Sequence, residues 1–460
     1  MRGPFRSRTF RRLFAGRVIT NVGDSFYFVG AMWLVYSLTN DPLYTGVAGF
    51  VTMVPQAFQF LAGPLVDQWS IQRILVGTQL IQAAVVSLIP IAHILGFLTV
   101  ELVLIVMPVL SALNQLVYPA QITALPRILD DEELVAANSA FSVAYQGFDM
   151  VANGIGGILI GLFGAVALFA LDALTFGIAA IVFATVSIPP ANTVTADDRP
   201  RDELTGADKL ADVSTRPLAG DESGAARGSN PLVMDSGGSH IESENTNSYV
   251  ARMREGMAVI RGTFLVPLLA GAVIANFSVG MILAATPPYA DALAVPGALN
   301  LIGAAGAYGI LMASIAAGGF VGAIATNLVA DCRLGRSMVV GYTLAGVLWS
   351  GALLANWLPL TALLFALAYI PIGILAVQVA AVVQSAPLAE MVGRVSSVHG
   401  SASASMVPIG SLAGGVVAGW LSPQVAMASL GIATFSLALY VLVNPDLREM
   451  RAPDRMTINL

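Results

Sequence analysis

The stretch GPLVDQWSIQRILVG, residues 63–77, has a faint second copy in NLVADCRLGRSMVVG, residues 327–341. Asp67 and Asp331 each precede a glycine by ten residues, and apolar residues occupy matching positions in the two copies. Each copy lies at the end of the second long apolar run in its half of the chain. The sequence therefore predicts two halves related by a parallel repeat, an arrangement found in transporters whose site lies between the halves.

The composition of the whole chain is that of a membrane protein. Of its 460 residues, 56% are hydrophobic and 11% are charged, whereas soluble domains have roughly 25% charged residues. Apolar runs of about 20 residues, the length that a helix needs to cross the hydrocarbon core, recur along the chain. Twelve runs are predicted to be spans: 14–37, 43–65, 74–97, 101–123, 136–161, 165–188, 264–288, 305–329, 337–356, 359–383, 397–420 and 424–443. The predicted fold class is an all-α membrane protein with two six-helix bundles, and a soluble enzyme is excluded.

The basic residues predict the orientation of the spans. With twelve spans and both termini in the cytoplasm, all 22 Lys and Arg residues fall on the cytoplasmic side, as the positive-inside rule requires. The N-terminus has the basic start of a signal peptide but no small-residue cleavage site, so we expect the first span to be retained. The predicted location is the plasma membrane of a prokaryote.

A polar segment separates the two sets of six spans. Residues 189–249 contain eleven Asp and Glu against five Lys and Arg, a net charge of −6 that equals the charge of the whole chain. Such a segment has too few apolar residues to form a core, so it is predicted to be a disordered cytoplasmic linker. The predicted domains are an N-terminal bundle at 1–188, this linker, and a C-terminal bundle at 250–460 that starts with an interfacial helix.

Polar residues inside the spans recur at helical spacing and form stripes. Such a stripe can face a substrate cavity, or it can join packed helices through hydrogen bonds that contribute roughly 0.6 kcal/mol each. The stripes are predicted to line the cavity, and the Gln and Asp residues of the third and sixth spans are expected to join helices. The predicted cavity residues are Asn21, Gln56, Gln59, Asn114, Tyr118, Gln146, Asn276 and Gln378.

Three aspartates lie within predicted spans, namely Asp24, Asp149 and Asp172. A charge at mid-membrane costs at least ~2.5 kcal/mol, so each must be protonated, paired or hydrated. Asp24 and Asp149 lie at similar, near-central depth. Two acids facing one low-dielectric cavity would raise each other's pKa, so that one of them could titrate near neutral pH. They are the predicted proton-coupling residues. The alternative for Asp24 is that it braces a neighbouring helix, and this role is favoured for Asp172.

Outside the linker, the chain resembles the major facilitator superfamily, particularly its branch of macrolide, multidrug and enterobactin-type exporters. The resemblance to the branch is carried by FRRLFAGRVITNVGDSF, ALPRILDDEELVAANS, LFALDALTFGIAAI and MVGRVSSVHGSASASMVPIGSLAGGVVAG. The loop motif of the superfamily after the second span is matched by Gly63, Leu65, Asp67 and Arg73, and its second copy by Asp331, Gly335 and Arg336. The resemblance implies a cytoplasmic gate formed by Gly63, Asp67, Arg73, Asp331 and Arg336. Alternatively, these residues only anchor the topology.

The predicted function is proton-coupled export of an amphipathic small molecule by a monomeric secondary transporter. A proton-coupled importer is one alternative, and a membrane sensor or scaffold that uses the linker is another. No cofactor, metal or nucleic acid is predicted, because the three His residues are scattered and a phosphate-binding glycine loop is missing. The glycine runs are predicted to permit close helix packing; they contain Gly154, Gly156, Gly157 and Gly161, and Gly410, Gly414, Gly415 and Gly419.

Overall fold

The structure is a computed structural model that describes residues 3–57, 69–189, 265–385 and 392–450. These ranges are almost entirely helical. The long helices are α1 (Arg8–Thr39), α2 (Pro42–Ala57), α3 (Ile71–Ile94), α4 (Val100–Ile128), α5 (Asp131–Phe163), α6 (Ala165–Ala184), α7 (Leu265–Asp291), α8 (Gly303–Ala325), α9 (Leu334–Ala355), α10 (Leu358–Ser385), α11 (Val392–Trp420) and α12 (Pro423–Val443). A short helix, α13 (Pro445–Arg448), follows α12. The predicted linker and interfacial helix lie outside the described residues.

Nine helices in the described ranges are long and apolar enough to cross a membrane by length and composition. The other three, α2, α5 and α11, each contain or adjoin residues whose placement is not described. The chain is thus a multi-pass membrane protein, as its composition predicts.

Side-chain caps and left-handed residues mark where several helices begin and end. Ser7 precedes α1, and its hydroxyl oxygen accepts a hydrogen bond from the amide of Phe10 at 3.2 Å. Ser422 caps α12 in the same way, through the amide of Val425 at 3.2 Å. These contacts satisfy amide groups that a helix start leaves without an intrahelical acceptor. Asn40, with φ of 50°, ends α1 and allows the tight turn into α2.

The C-terminal half, α7–α12, has an aromatic core. The rings of Trp349 in α9 and Phe365 in α10 are stacked, with centroids 3.8 Å apart and planes inclined by 7°. The indole N–H of Trp349 also donates to the backbone oxygen of Met427 in α12 at 2.7 Å. Trp349 therefore joins three helices while its polar atom stays satisfied.

The N-terminal half, α1–α6, meets the C-terminal half where helices approach through glycine. A Cβ built on Gly157 of α5 would overlap the Cα of Gly309 in α8. A Cβ on Gly415 of α11 would lie 2.7 Å from the Cα of Gly46 in α2. The prediction that these glycine runs permit close helix packing is confirmed, and the structure adds that Gly157 and Gly415 act between the two halves.

Other contacts between the halves lie at the same end of the bundle, which we call the closed end and define by Gly46, Gly157, Gly309 and Gly415. Tyr36 near the end of α1 donates its hydroxyl to the carboxylate of Asp291 in α7 at 3.1 Å. The rings of Trp33 in α1 and Tyr308 in α8 are stacked at 5.9 Å. The closed end therefore combines glycine packing with polar and aromatic contacts.

Candidate functional site

Asp24 lies near the middle of α1 and faces α4. Its side chain is half-buried, and its Oδ2 atom accepts a hydrogen bond from Nδ2 of Asn114 at 3.1 Å. The structure therefore brings together two predicted site residues that are 90 positions apart in the chain.

Arg17 lies two turns from Asp24 on α1 and forms a second polar cluster. Its side chain is 7% exposed, and its Nε atom donates to Oε1 of Gln121 at 2.7 Å and to the hydroxyl of Tyr145 at 3.1 Å. The guanidinium also lies over the ring of Tyr145, 5.5 Å from the centroid. Within the described residues no carboxylate forms an ion pair with Arg17. Arg17 is thus a buried cation held by neutral groups of α4 and α5.

This cluster shows that the polar stripe of α1 faces the polar stripes of α4 and α5. Arg17 follows the start of α1 by more than two turns. Tyr145 was not among the predicted site residues, although it lies four positions before Asp149 on α5. That spacing, one helical turn, is the sequence signal that could have identified it.

Asp172 is the second buried charged side chain in the described residues. It lies in α6 and is 0% exposed. Its Oδ1 atom accepts a hydrogen bond from the hydroxyl of Thr175 at 3.1 Å, and it lies so close to α1 that a Cβ on Gly23 would overlap it. Asp172 therefore packs directly against the residue that precedes Asp24.

The predicted cavity residues of the second half have different surroundings. Gln378 in α10 is 2% exposed and donates to the backbone oxygen of Val329 at 3.5 Å, which joins α10 to the segment after α8. Asn276 donates to the backbone oxygen of Ala272 in its own helix at 2.9 Å. Asn276 also lines a cavity of about 380 Å³ between α7, α9, α10 and α12, whose walls are mostly apolar.

The remaining predicted cavity residues are more open or are not described. Tyr118 in α4 is 50% exposed, Gln56 at the end of α2 is exposed, and Asn21 in α1 is partly buried. The Oδ1 atom of Asn21 has no hydrogen-bond partner within the described part of the chain. Gln59 lies outside the described residues, and for Gln146 and Asp149 only the backbone, within α5, is described.

The predicted gate residues are described only in part. Gly63 and Asp67 lie outside the described residues, and Arg73 is exposed in the first turn of α3. Asp331 and Arg336, in the second copy of the motif, are both exposed. They line one surface cavity of about 730 Å³ next to α9 and α10. The gate stays a prediction.

Comparison with known proteins shows that the chain is similar to transporters of the major facilitator type. Residues 2–211 match the major facilitator family described as transmembrane secretion effector. The chain is 29% identical over 140 residues to the uncharacterized MFS-type transporter YvqJ of Bacillus subtilis (strain 168). It is 24% identical over 190 residues to the uncharacterized MFS-type transporter YkuC of the same organism. The first match covers 30% of this chain and 33% of YvqJ, and the second covers 40% of this chain and 43% of YkuC.

Solved structures share the fold over nearly the whole chain. The nucleoside transporter NupG has a TM-score of 0.62 at 13% identity, with 95% of this chain and 97% of that chain covered. A bacterial homolog of the human lysosomal transporter Spinster, in an inward-facing and occupied conformation, has a TM-score of 0.62 at 13% identity and covers 96% of both chains. The chain thus has the fold of major facilitator transporters, and the matches support a transporter of the major facilitator type.

Proposed function

We propose that this protein is a secondary active transporter that exports an amphipathic small molecule in exchange for protons by alternating access. The observation that carries the proposal is the half-buried Asp24, held by Asn114 between helices of one half, in a bundle whose halves touch at the closed end. A carboxylate at this depth can take up and release a proton. The match to a secretion effector family favours export over import.

The distribution of arginines along the sequence predicts which end of the bundle faces the cytoplasm. If both termini lie in the cytoplasm, the closed end faces outward, because α1 ends and α2 begins there. Contact between the halves on the outward side is what an inward-facing state requires, and in that state a substrate would enter from the cytoplasm. The closed end would open when the transporter turns outward to release the substrate.

The test is transport by purified protein in lipid vesicles with an imposed pH gradient, with ethidium as the amphipathic probe. We expect the gradient to drive ethidium transport by the wild-type protein. Asp24→Asn and Asp149→Asn are expected to abolish the response to the gradient, because the amide cannot carry a proton. The matched control is Asp446→Asn, which changes an exposed acid at α13 and should leave transport intact. Unchanged gradient-driven transport in both Asp24→Asn and Asp149→Asn would refute the proton coupling.

The two alternatives make different predictions in the same system. A proton-coupled importer would move its solute in the same direction as the protons, whereas the proposed exporter moves its substrate against them. A sensor or scaffold would show no transport and would depend on the linker. Deletion of residues 195–245 separates these cases, since a passive linker leaves transport intact and a scaffold loses its function.

A further inference from the structure

Two buried polar atoms at the interface between α1 and α6 have no hydrogen-bond partner in the described part of the chain. They are the hydroxyl oxygen of Tyr27 in α1 and the Oδ2 atom of Asp172 in α6. Both side chains are buried, Asp172 completely. The hydroxyl of Thr175 reaches only the Oδ1 atom of Asp172, at 3.1 Å. Half of this carboxyl group is therefore buried and unsatisfied.

A charged carboxylate in this position would be expensive. Moving an ionised carboxylate out of water without a compensating cation costs so much that buried acids generally become neutral instead. Within the described residues no cation forms an ion pair with Asp172. The single hydroxyl of Thr175 cannot replace the solvation of both oxygens. The burial and the partners of Asp172 are thus those of a protonated acid.

Asp172 is also close to the acid in the candidate site. Its Oδ1 atom occupies the space that a Cβ of Gly23 would fill, so the carboxyl group lies beside the residue that precedes Asp24. Tyr27 lies one turn after Gly23 and packs its ring edge-on against Phe169 of α6 at 5.9 Å. Glycine at position 23 is what lets α6 bring its carboxyl group to α1.

No other charge in the described residues competes for this role. On α1, Arg8, Arg11 and Arg12 lie near the helix start, where Arg12 donates to the backbone oxygen of Thr185 after α6 at 2.8 Å. Arg17 binds Gln121 and Tyr145, and Tyr36 binds Asp291. The remaining titratable residues of α1 are Asp24 and Tyr27. On α3, which also packs on α6, the titratable residues are Arg73 and His93, both exposed near the helix ends. On α5 they are Asp131, Glu132 and Glu133 at the helix start, Tyr145, which binds Arg17, and Asp149.

We propose that Asp172 is a second proton-binding residue and that its charge state is coupled to that of Asp24 across the α1–α6 interface. Two neighbouring acids ionise one at a time, since the charge on one opposes the charge on the other. The proton that Asp172 binds forms an O–H bond on its carboxyl group and removes the negative charge that would otherwise oppose a charge on Asp24. The place of this step in transport rests on the proposed function, whereas the protonation of Asp172 does not.

The experiment is infrared spectroscopy of the full-length protein in lipid vesicles, which detects the carbonyl stretch of a protonated carboxylic acid. Near neutral pH we expect the wild-type protein to show this band and Asp172→Asn to lose it. Asp24→Asn should keep the band, because Asp172 remains buried and unpaired. In Asp24→Asn the pH at which the band disappears should shift, because the neighbouring charge is gone. The control is Asp446→Asn, which removes an exposed acid and should leave both features unchanged.

Two results would overturn the proposal. A band that is missing from the wild type, or that persists in Asp172→Asn, means that Asp172 does not hold a proton. A band with the same pH dependence in Asp24→Asn as in the wild type means that the charge states of the two acids are not coupled. If Asp172→Asn does not fold, Thr175→Val gives the decision, since loss of the hydrogen bond to Oδ1 of Asp172 should move the carbonyl frequency. No transported substrate is needed, so a failure of the transport assay leaves this test intact.

Discussion

Replacing Gly309 with alanine is expected to weaken the closed end of the bundle. Gly309 lies in α8 and faces Gly157 of α5 so closely that an added Cβ would overlap the Cα of Gly157. The three atoms nearest to that Cβ are backbone atoms of Gly157, so no side chain can rotate away to make room. The two helices, which belong to different halves, must therefore separate.

The size of the effect follows from the contact. Nonbonded carbon atoms pack at about 3.5–4.0 Å, so α5 and α8 must move apart by at least ~1 Å to accommodate the methyl group. Adding atoms to a well-packed interface costs typically about 1–3 kcal/mol. Because the opened state does not contain this contact, the cost falls on the closed state alone. The ratio of opened to closed molecules should then rise about 5- to 150-fold.

The assay is a distance measurement by double electron–electron resonance across the closed end. Spin labels at Tyr44→Cys in α2 and Trp420→Cys in α11, both exposed positions, report the separation of the halves in a Cys332→Ser background. We expect Gly309→Ala to move population from the short distance to a longer one. The matched control is Gly319→Ala in the same helix, where a Cβ meets no atom within 4 Å. Equal distance distributions for Gly309→Ala and the control would refute the reasoning.

Two further substitutions test the packing within each half. Gln121→Leu removes the acceptor of the shortest hydrogen bond of Arg17, so thermal unfolding should show a stability loss of about 1.5–3 kcal/mol, which is typical of a hydrogen bond to a charged group. Tyr145→Phe keeps the ring under the guanidinium and should lose less stability. Equal losses in the two variants would contradict this assignment. Trp349→Ala removes the stacked ring and the indole hydrogen bond and should lower the free energy of unfolding by about 3–5 kcal/mol. Trp420→Ala, at an exposed position, is the control. Similar melting temperatures for the two variants would show that the aromatic core is not stabilising.

Much of the helical architecture could be predicted from the sequence, because a span is a local property. A run of about 20 apolar residues must form a helix in a membrane, since the backbone has no other way to satisfy its polar groups there. The predicted ends of the spans are less accurate than their predicted centres. The first span was expected to start near residue 14, but α1 starts at Arg8. The helix begins before the apolar run because Ser7 caps its first turn.

Residues of the candidate site could be predicted from the sequence, but the contacts between them could not. Helical spacing placed Asp24 and Asn114 on polar stripes, and the structure joins them. The expected partner of Asp24 was Asp149, whose side chain lies outside the described residues, so that pairing stays a prediction. Asp172 was expected to brace a neighbouring helix, and nothing in its local sequence indicates that Gly23 leaves space for its carboxyl group.

The sequence by itself determined that this is a multi-pass helical membrane protein, since hydropathy and span length depend on neighbouring residues alone. It also determined which residues carry the polar stripes and the glycine runs. Only the tertiary structure decided which of these meet: Gly157 with Gly309 between the halves, and Asp172 with the backbone beside Asp24. The physical reason is that these contacts depend on how helices distant in the chain pack, to within the size of one methyl group. Spacing along a single helix contains no information about that distance.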